Sequence, residues 1–105
     1  MRSYCKVIPQ FWTGETGRKL RGDKDAQILA LYILTCPSSN MIGLYYLPFP
    51  TICHETGINK EGASKALRRI SEAVFGEFAY YDLKSDIIYV PEMAKYQIGE
   101  SLQPK

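Results

Sequence analysis

The chain has 105 residues, 46% of them hydrophobic and 23% charged, with a net charge of +2. That length makes one domain with a modest core, and that composition belongs to a folded globular chain and not to a disordered one. The charge permits nucleic-acid binding without announcing it, and the most apolar run, AQILALYILTC, is shorter than the roughly 20 residues a membrane-spanning helix needs.

Tyr4 to Ile8 reads as a short extended run ended by Pro9. Residues 10–20, QFWTGETGRKL, hold two glycines and no sustained period, so an irregular arm is expected. Phe11 and Trp12 are the apolar anchors of that arm; stacking on a base is the alternative role for Trp12. Asp23 to Cys36 is a helix, with Asp23 or Asp25 at its N-terminal end and Pro37 as its stop. It is apolar nearly all the way round. Either the core surrounds it, or its second face meets another subunit. Ser38-Ser39-Asn40 is a turn, and Gly43 to Leu47 a short strand. Pro48 and Pro50 close that strand, and Pro50 suits the entry to the next helix.

Thr51 to Glu72 has the pattern of a helix-turn-helix. Ile52, Cys53 and Thr56 mark the inner side of its first helix, where a small residue such as Cys53 allows close approach. Gly57 stands at the sharp turn, Ile58 is an apolar plug, and Asn59 can cap the second helix. Ala63, Ala66, Leu67, Ile70 and Val74 then form one apolar stripe at helical spacing. Glu61, Ser64, Lys65, Arg68, Arg69 and Glu72 occupy the other side. A second helix of this kind can enter a DNA major groove. A plain helical hairpin, or a helix-turn-helix used for protein contact, has the same pattern.

Phe78 to Tyr81 and Ile87 to Val90 read as strands joined by the loop Leu83-Lys84-Ser85-Asp86. Pro91 opens a short terminal helix in which Met93 and Tyr96 pack. The expected fold is α+β: a winged helix-turn-helix with a three-helix core, a small antiparallel sheet and a wing hairpin. Residues 1–98 form this domain, with an N-terminal arm and the short C-terminal helix, and 99–105 form a loose tail. Lys84 lies near the tip of the wing.

Cys5, Cys36 and Cys53 show no C-x-x-C spacing, and MRSYCKVIPQFW has no continuous apolar core of a secretory signal. Reduced, mostly buried thiols in a cytoplasmic protein are expected. Cys53 and His54 are adjacent on a helix and point in different directions, so they make neither a metal site nor a nucleophile–base pair; His54 reads as a surface residue. There is no glycine-rich phosphate loop, no histidine-centred triad and no paired metal ligands, so the chain reads as a non-enzyme without cofactor or metal.

The blocks Phe11-Trp12-Thr13, Leu31 to Thr35 and Asn40-Met41-Ile42-Gly43-Leu44-Tyr45-Tyr46-Leu47-Pro48 carry a resemblance, together with Ile88-Tyr89-Val90 and Ala94-Lys95-Tyr96. The chain resembles the N-terminal winged-helix domain of phage and prophage replication-initiation proteins, including DnaD-like replisome organisers. The likeness covers nearly the whole chain, and the Asn-Met-x-Gly-Leu-Tyr block is its most specific part. It implies origin binding, recruitment of helicase-loading proteins and self-association. Such proteins usually carry a further C-terminal region, and the segment Ser71 to Phe78 is longer than their usual link from recognition helix to wing.

The expected partner is double-stranded DNA. The candidate contacts are Asn59, Lys60, Ser64, Lys65, Arg68, Arg69 and Lys84, with Arg69 and Lys84 assigned to backbone phosphates. The plain alternative is a solvated helix face with Glu61–Lys65 and Arg68–Glu72 paired at i,i+4. A second reading is an interaction module, resting on the apolar first helix and on Tyr45, Tyr46, Tyr80, Tyr81 and Tyr89, which could equally all belong to the sheet. A homodimer would use the N-terminal arm and the first helix. A transcriptional regulator of the same fold is a third reading.

Overall fold

The computed structural model describes residues 5–40, 42–72 and 78–93. Among them the chain is α+β, with five helices and one three-stranded sheet. The order is α1 (Gln10–Thr13), α2 (Glu15–Leu20), α3 (Lys24–Thr35), β1 (Leu44–Tyr46), α4 (Phe49–Thr56), α5 (Lys60–Ser71), β2 (Tyr80–Asp82) and β3 (Ile87–Tyr89). This arrangement is compatible with a winged-helix-like fold.

The central helix α3 forms as its sequence directs. Asp23 is the N-cap, its Oδ1 accepting from the Ala26 N–H at 3.1 Å. Ala26, Leu29, Ala30, Ile33 and Leu34 are buried along one broad stripe, each large side chain stabilising the core by roughly 1.5–3 kcal/mol. The expectation of a spare apolar face on this helix is corrected in part. Leu31 and Tyr32 pack against the core, and Tyr32 donates its hydroxyl proton to Glu55. Ile28 is the large apolar side chain left exposed on α3.

The N-terminal arm also departs from expectation. The stretch expected to be irregular folds into α1 and α2. Two buried anchors, Phe11 and Leu20, hold these single turns on the core. Arg18 and Lys19 sit in the last turn of α2, where cations favour the helix dipole. Trp12 is not a core anchor. It follows Phe11 by one residue, a third of a turn away, and is 47% exposed, with its ring edge-on to Phe11 at 4.9 Å between centroids.

The sheet order is β1-β3-β2, antiparallel throughout, so the early strand pairs with the second strand of the later hairpin. The second hairpin strand starts at Ile87 as expected and stops at Tyr89, while the first is shifted from the expected Phe78–Tyr81 to Tyr80–Asp82; Phe78, Ala79 and Val90 are buried core residues beside the ladder. Tyr45 and Ile88 point inward with the half-buried Tyr81 between core and solvent. The Tyr45 hydroxyl donates to the Ile33 carbonyl and ties sheet to α3. Tyr45, Tyr46, Tyr80, Tyr81 and Tyr89 all lie in the three strands, and Tyr46, Tyr80 and Tyr89 face outward with Leu44.

Asn40 and Gly43 position β1. The Asn40 Oδ1 accepts from the Gly43 N–H at 2.8 Å, and its Nδ2 donates to the Leu44 carbonyl at 3.1 Å. Gly43 has φ +83°, and a Cβ there would stand 2.4 Å from the Val90 carbonyl oxygen. Met93 is fully buried, as expected. Val74, Tyr96 and the tail 99–105 lie outside the described residues. Among the described residues no helix is long and apolar enough to cross a membrane.

Candidate nucleic-acid interface

The turn between α4 and α5 is set by three residues. Gly57 takes φ +76°, a left-handed conformation that costs glycine nothing, and its N–H closes α4 on the Cys53 carbonyl at 3.0 Å. Thr56 donates its hydroxyl to the Ile52 carbonyl at 2.7 Å and accepts from the Ile58 N–H at 3.2 Å, bracing both sides of the turn. Ile58 is buried and plugs the angle between the helices. Asn59 then caps α5, its Oδ1 accepting from the Gly62 N–H at 2.8 Å.

Beyond the cap, α5 divides as its sequence pattern predicts. Ala63, Ala66, Leu67 and Ile70 are buried, and α5 packs mainly along α3. Lys60, Glu61, Ser64, Lys65 and Arg68 are exposed on the other side. Ser64, Lys65 and Arg68 fall at i, i+1 and i+4 and form one strip. Among the described residues no carboxylate lies within ion-pair distance of Lys65 or Arg68; the ion pair formed on α5 is that of Arg69. The i,i+4 pairs Glu61–Lys65 and Arg68–Glu72 are therefore not made.

Arg69 differs from Lys65 and Arg68 in having an acidic partner within the chain. Its Nε lies 3.1 Å from Asp23 Oδ2, with Arg69 39% and Asp23 27% exposed. Position 69 is a third of a turn from position 68, enough to swing the guanidinium off the outer strip and onto the α3 cap. The Nε–H is not well aligned on the oxygen, so this is a charge contact more than a hydrogen bond. The same junction is lined by Arg21, Lys24 and Asp25. There Arg21, Lys24 and Arg69 stand beside Asp23 and Asp25, and no purely cationic patch results. Asn59 is exposed, but its side-chain oxygen serves the cap.

The hairpin stands beside α5. Its apex, residues 83–86, is braced by Asp82, whose carboxylate accepts from the Lys84 N–H at 3.2 Å and from the Ser85 hydroxyl at 2.7 Å. Those two bonds hold the Asp82 carboxyl below its usual range. Asp86 closes the turn at φ 58°, its N–H on the Asp82 carbonyl at 2.8 Å. The Tyr81 hydroxyl reaches the Leu47 carbonyl at 2.7 Å and Asp86 Oδ1 at 3.1 Å, which fixes the hairpin to the end of β1. Burial and the Asp86 bond push this phenol well above its ordinary range, so it remains a donor well into alkaline pH. Lys84 is exposed at the apex.

Between α5 and the hairpin lies a cleft of about 220 Å³. Phe49, Leu67, Tyr81 and Leu83 give its lining an apolar part, and Ser64, Arg68 and Ser71 a polar part. Two of the residues expected to contact DNA, Ser64 and Arg68, thus share one cavity with the hairpin. Leu83 was not among the expected site residues. The signal for it is a leucine set in the polar turn Asp82-Leu83-Lys84-Ser85-Asp86.

All three cysteines are free, and Cys36 is buried, but Cys5 and Cys53 are only partly covered, against the expectation of mostly buried thiols. His54 is exposed. Among the described residues no group of three histidine, cysteine or acidic side chains could hold a metal ion. Compared with protein-family models, curated proteins and solved structures, the chain gives no match.

Proposed function

We propose that the chain is a non-catalytic winged-helix DNA-binding domain that presents α5 to the major groove of duplex DNA. The observation that carries this reading is the exposed strip Ser64, Lys65 and Arg68. It lies opposite a fully buried stripe and beside a braced hairpin that serves as the wing. Lysine and arginine on such a strip neutralise phosphates, and Arg68 can also pair with guanine. Lys60 at the start of α5 and Lys84 on the wing supply further backbone contacts. Asn59 acts mainly as the cap, and Arg69 as the link to α3. The likeness to phage replication-initiation proteins supports a role at a replication origin, with helicase-loading proteins as partners. Fluorescence anisotropy of a labelled duplex, with wild type and the Lys65→Ala/Arg68→Ala double variant, tests the reading. Equal affinity of a folded double variant rejects it.

A second reading has its own observation. Leu44, Tyr46, Tyr80 and Tyr89 are exposed on the outer face of the sheet, and the register places Leu44, Tyr89 and Tyr80 in one cross-strand row. Tyrosine-rich, weakly charged surface favours protein contact. The partner proposed for this face is a second copy of the chain, which moves self-association from α3 to the sheet.

A further inference from the structure

We infer that the cleft between α5 and the hairpin seats one deoxyribose–phosphate unit of the bound duplex, with Leu83 making an apolar contact to the sugar. The inference rests on the DNA-binding reading above and deepens it.

The lining of the cleft has two chemically distinct parts. Arg68, Ser64 and Ser71 lie on the α5 side, and Phe49, Leu67, Tyr81 and Leu83 form the rest. A backbone unit has the matching division: an anionic phosphate with acceptor oxygens, joined to a sugar whose carbons are apolar. A charged guanidinium and the Ser64 hydroxyl suit the phosphate, the Ser71 hydroxyl being already donated to the Arg68 carbonyl at 2.8 Å, and the apolar side chains suit the sugar carbons. Size points the same way. At about 220 Å³ the cleft falls below the ~300–1,000 Å³ typical of cofactor or small-molecule sites.

Leu83 completes the argument. It is 69% exposed at a hairpin apex that is otherwise polar. The apex is rigid: Asp82 accepts two hydrogen bonds from it, and Asp86 closes it. Leu83 therefore lines the cleft from the hairpin side while remaining largely open to solvent. A strand crossing from α5 to the hairpin would pass over this point and cover it.

An apolar contact and a phosphate contact differ in salt dependence, because only the second releases counterions. The test measures binding of a short mixed-sequence DNA duplex between about 50 and 200 mM salt, for wild type, Leu83→Ala, Leu83→Met, Arg68→Ala and the Lys65→Ala/Arg68→Ala double variant. Leu83 is exposed, so its variants keep the fold, which circular dichroism checks. Leu83→Ala is expected to weaken binding about fivefold at every salt concentration with the slope unchanged. Leu83→Met restores it, and Arg68→Ala lowers the slope by about 1. If Leu83→Ala binds like wild type while the double variant is weakened, the sugar contact is wrong and the DNA reading survives. If Leu83→Ala lowers the slope, the lost contact is to phosphate and the inference is again overturned. If the double variant binds like wild type, the DNA reading fails and the cleft assignment with it.

Discussion

Arg69 tests whether the contact strip has been read correctly, because sequence position alone groups it with Lys65 and Arg68. The structure sets it on Asp23, the N-cap of α3. Asp23 therefore has two roles that substitution can separate. Asp23→Asn keeps a side-chain oxygen for the cap and removes the charge contact. With both partners partly exposed, that contact contributes only about 0.2–1 kcal/mol. Asp23→Ala removes the cap as well, at roughly 1 kcal/mol more. Arg69→Gln should cost the same small amount as Asp23→Asn, and the Asp23→Asn/Arg69→Gln pair should cost no more than either alone. For a domain of this size each kcal/mol lowers Tm by about 4–8 °C, so thermal unfolding resolves the series. In the duplex-binding assay Arg69→Gln should keep affinity within about twofold of wild type and leave the salt slope unchanged. A slope reduced by about 1 in Arg69→Gln, with stability untouched, would refute the assignment and return Arg69 to the DNA-contacting set.

Gly43→Ala places a Cβ 2.4 Å from the Val90 carbonyl oxygen at φ +83°, and should cost more than about 2 kcal/mol in chemical denaturation; a loss below 0.5 kcal/mol by the same rules contradicts the close packing of β1 on the segment after β3. Tyr32 and Tyr81 hold their phenolic protons above the ordinary range, Tyr32 through burial and then Glu55, Tyr81 through burial and then Asp86. Their raised values in the folded chain make this contribution complete below about pH 10 and lost as pH rises beyond it, since the unfolded chain then gives up the protons first. Alkaline unfolding with tyrosinate absorbance should show two tyrosines ionising only as the chain unfolds, and ionisation of both before unfolding contradicts this. For the sheet face, sedimentation equilibrium should show a concentration-dependent mass that Tyr89→Glu returns to monomer without unfolding. A wild-type mass fixed at monomer at high concentration removes this association. A charge at Leu31 should instead lower stability, because Leu31 packs against the core.

Local chemistry made much of this fold legible. Asp23 and Asn59 are caps, Gly57 is a left-handed turn, and Pro37 and Pro50 bracket helices, because each of these residues acts on the backbone within a few positions of itself. The stripe of Ala63, Ala66, Leu67 and Ile70 was legible for the same reason, as period reports burial directly. What escaped depended on contacts far along the chain. The arm at 10–20 shows no period, and its two short helices exist because Phe11 and Leu20 dock on a core built from later residues. Arg69 looks like its neighbours in sequence, and only the position of α3 separates it from them. Leu83 looks like a loop residue until α5 stands across from it. The outward tyrosines followed from strand alternation, but their exposure depended on where the other described elements pack.

The central claim is that Lys65 and Arg68 neutralise phosphates of duplex DNA. The most direct measurement is the dependence of log affinity on log salt for wild type and for the Lys65→Ala/Arg68→Ala variant, with circular dichroism confirming equal folding. Wild type should show a linear salt dependence, and the variant a slope smaller by about 2 with weaker binding at low salt. Identical slopes and affinities in two equally folded proteins would contradict that claim.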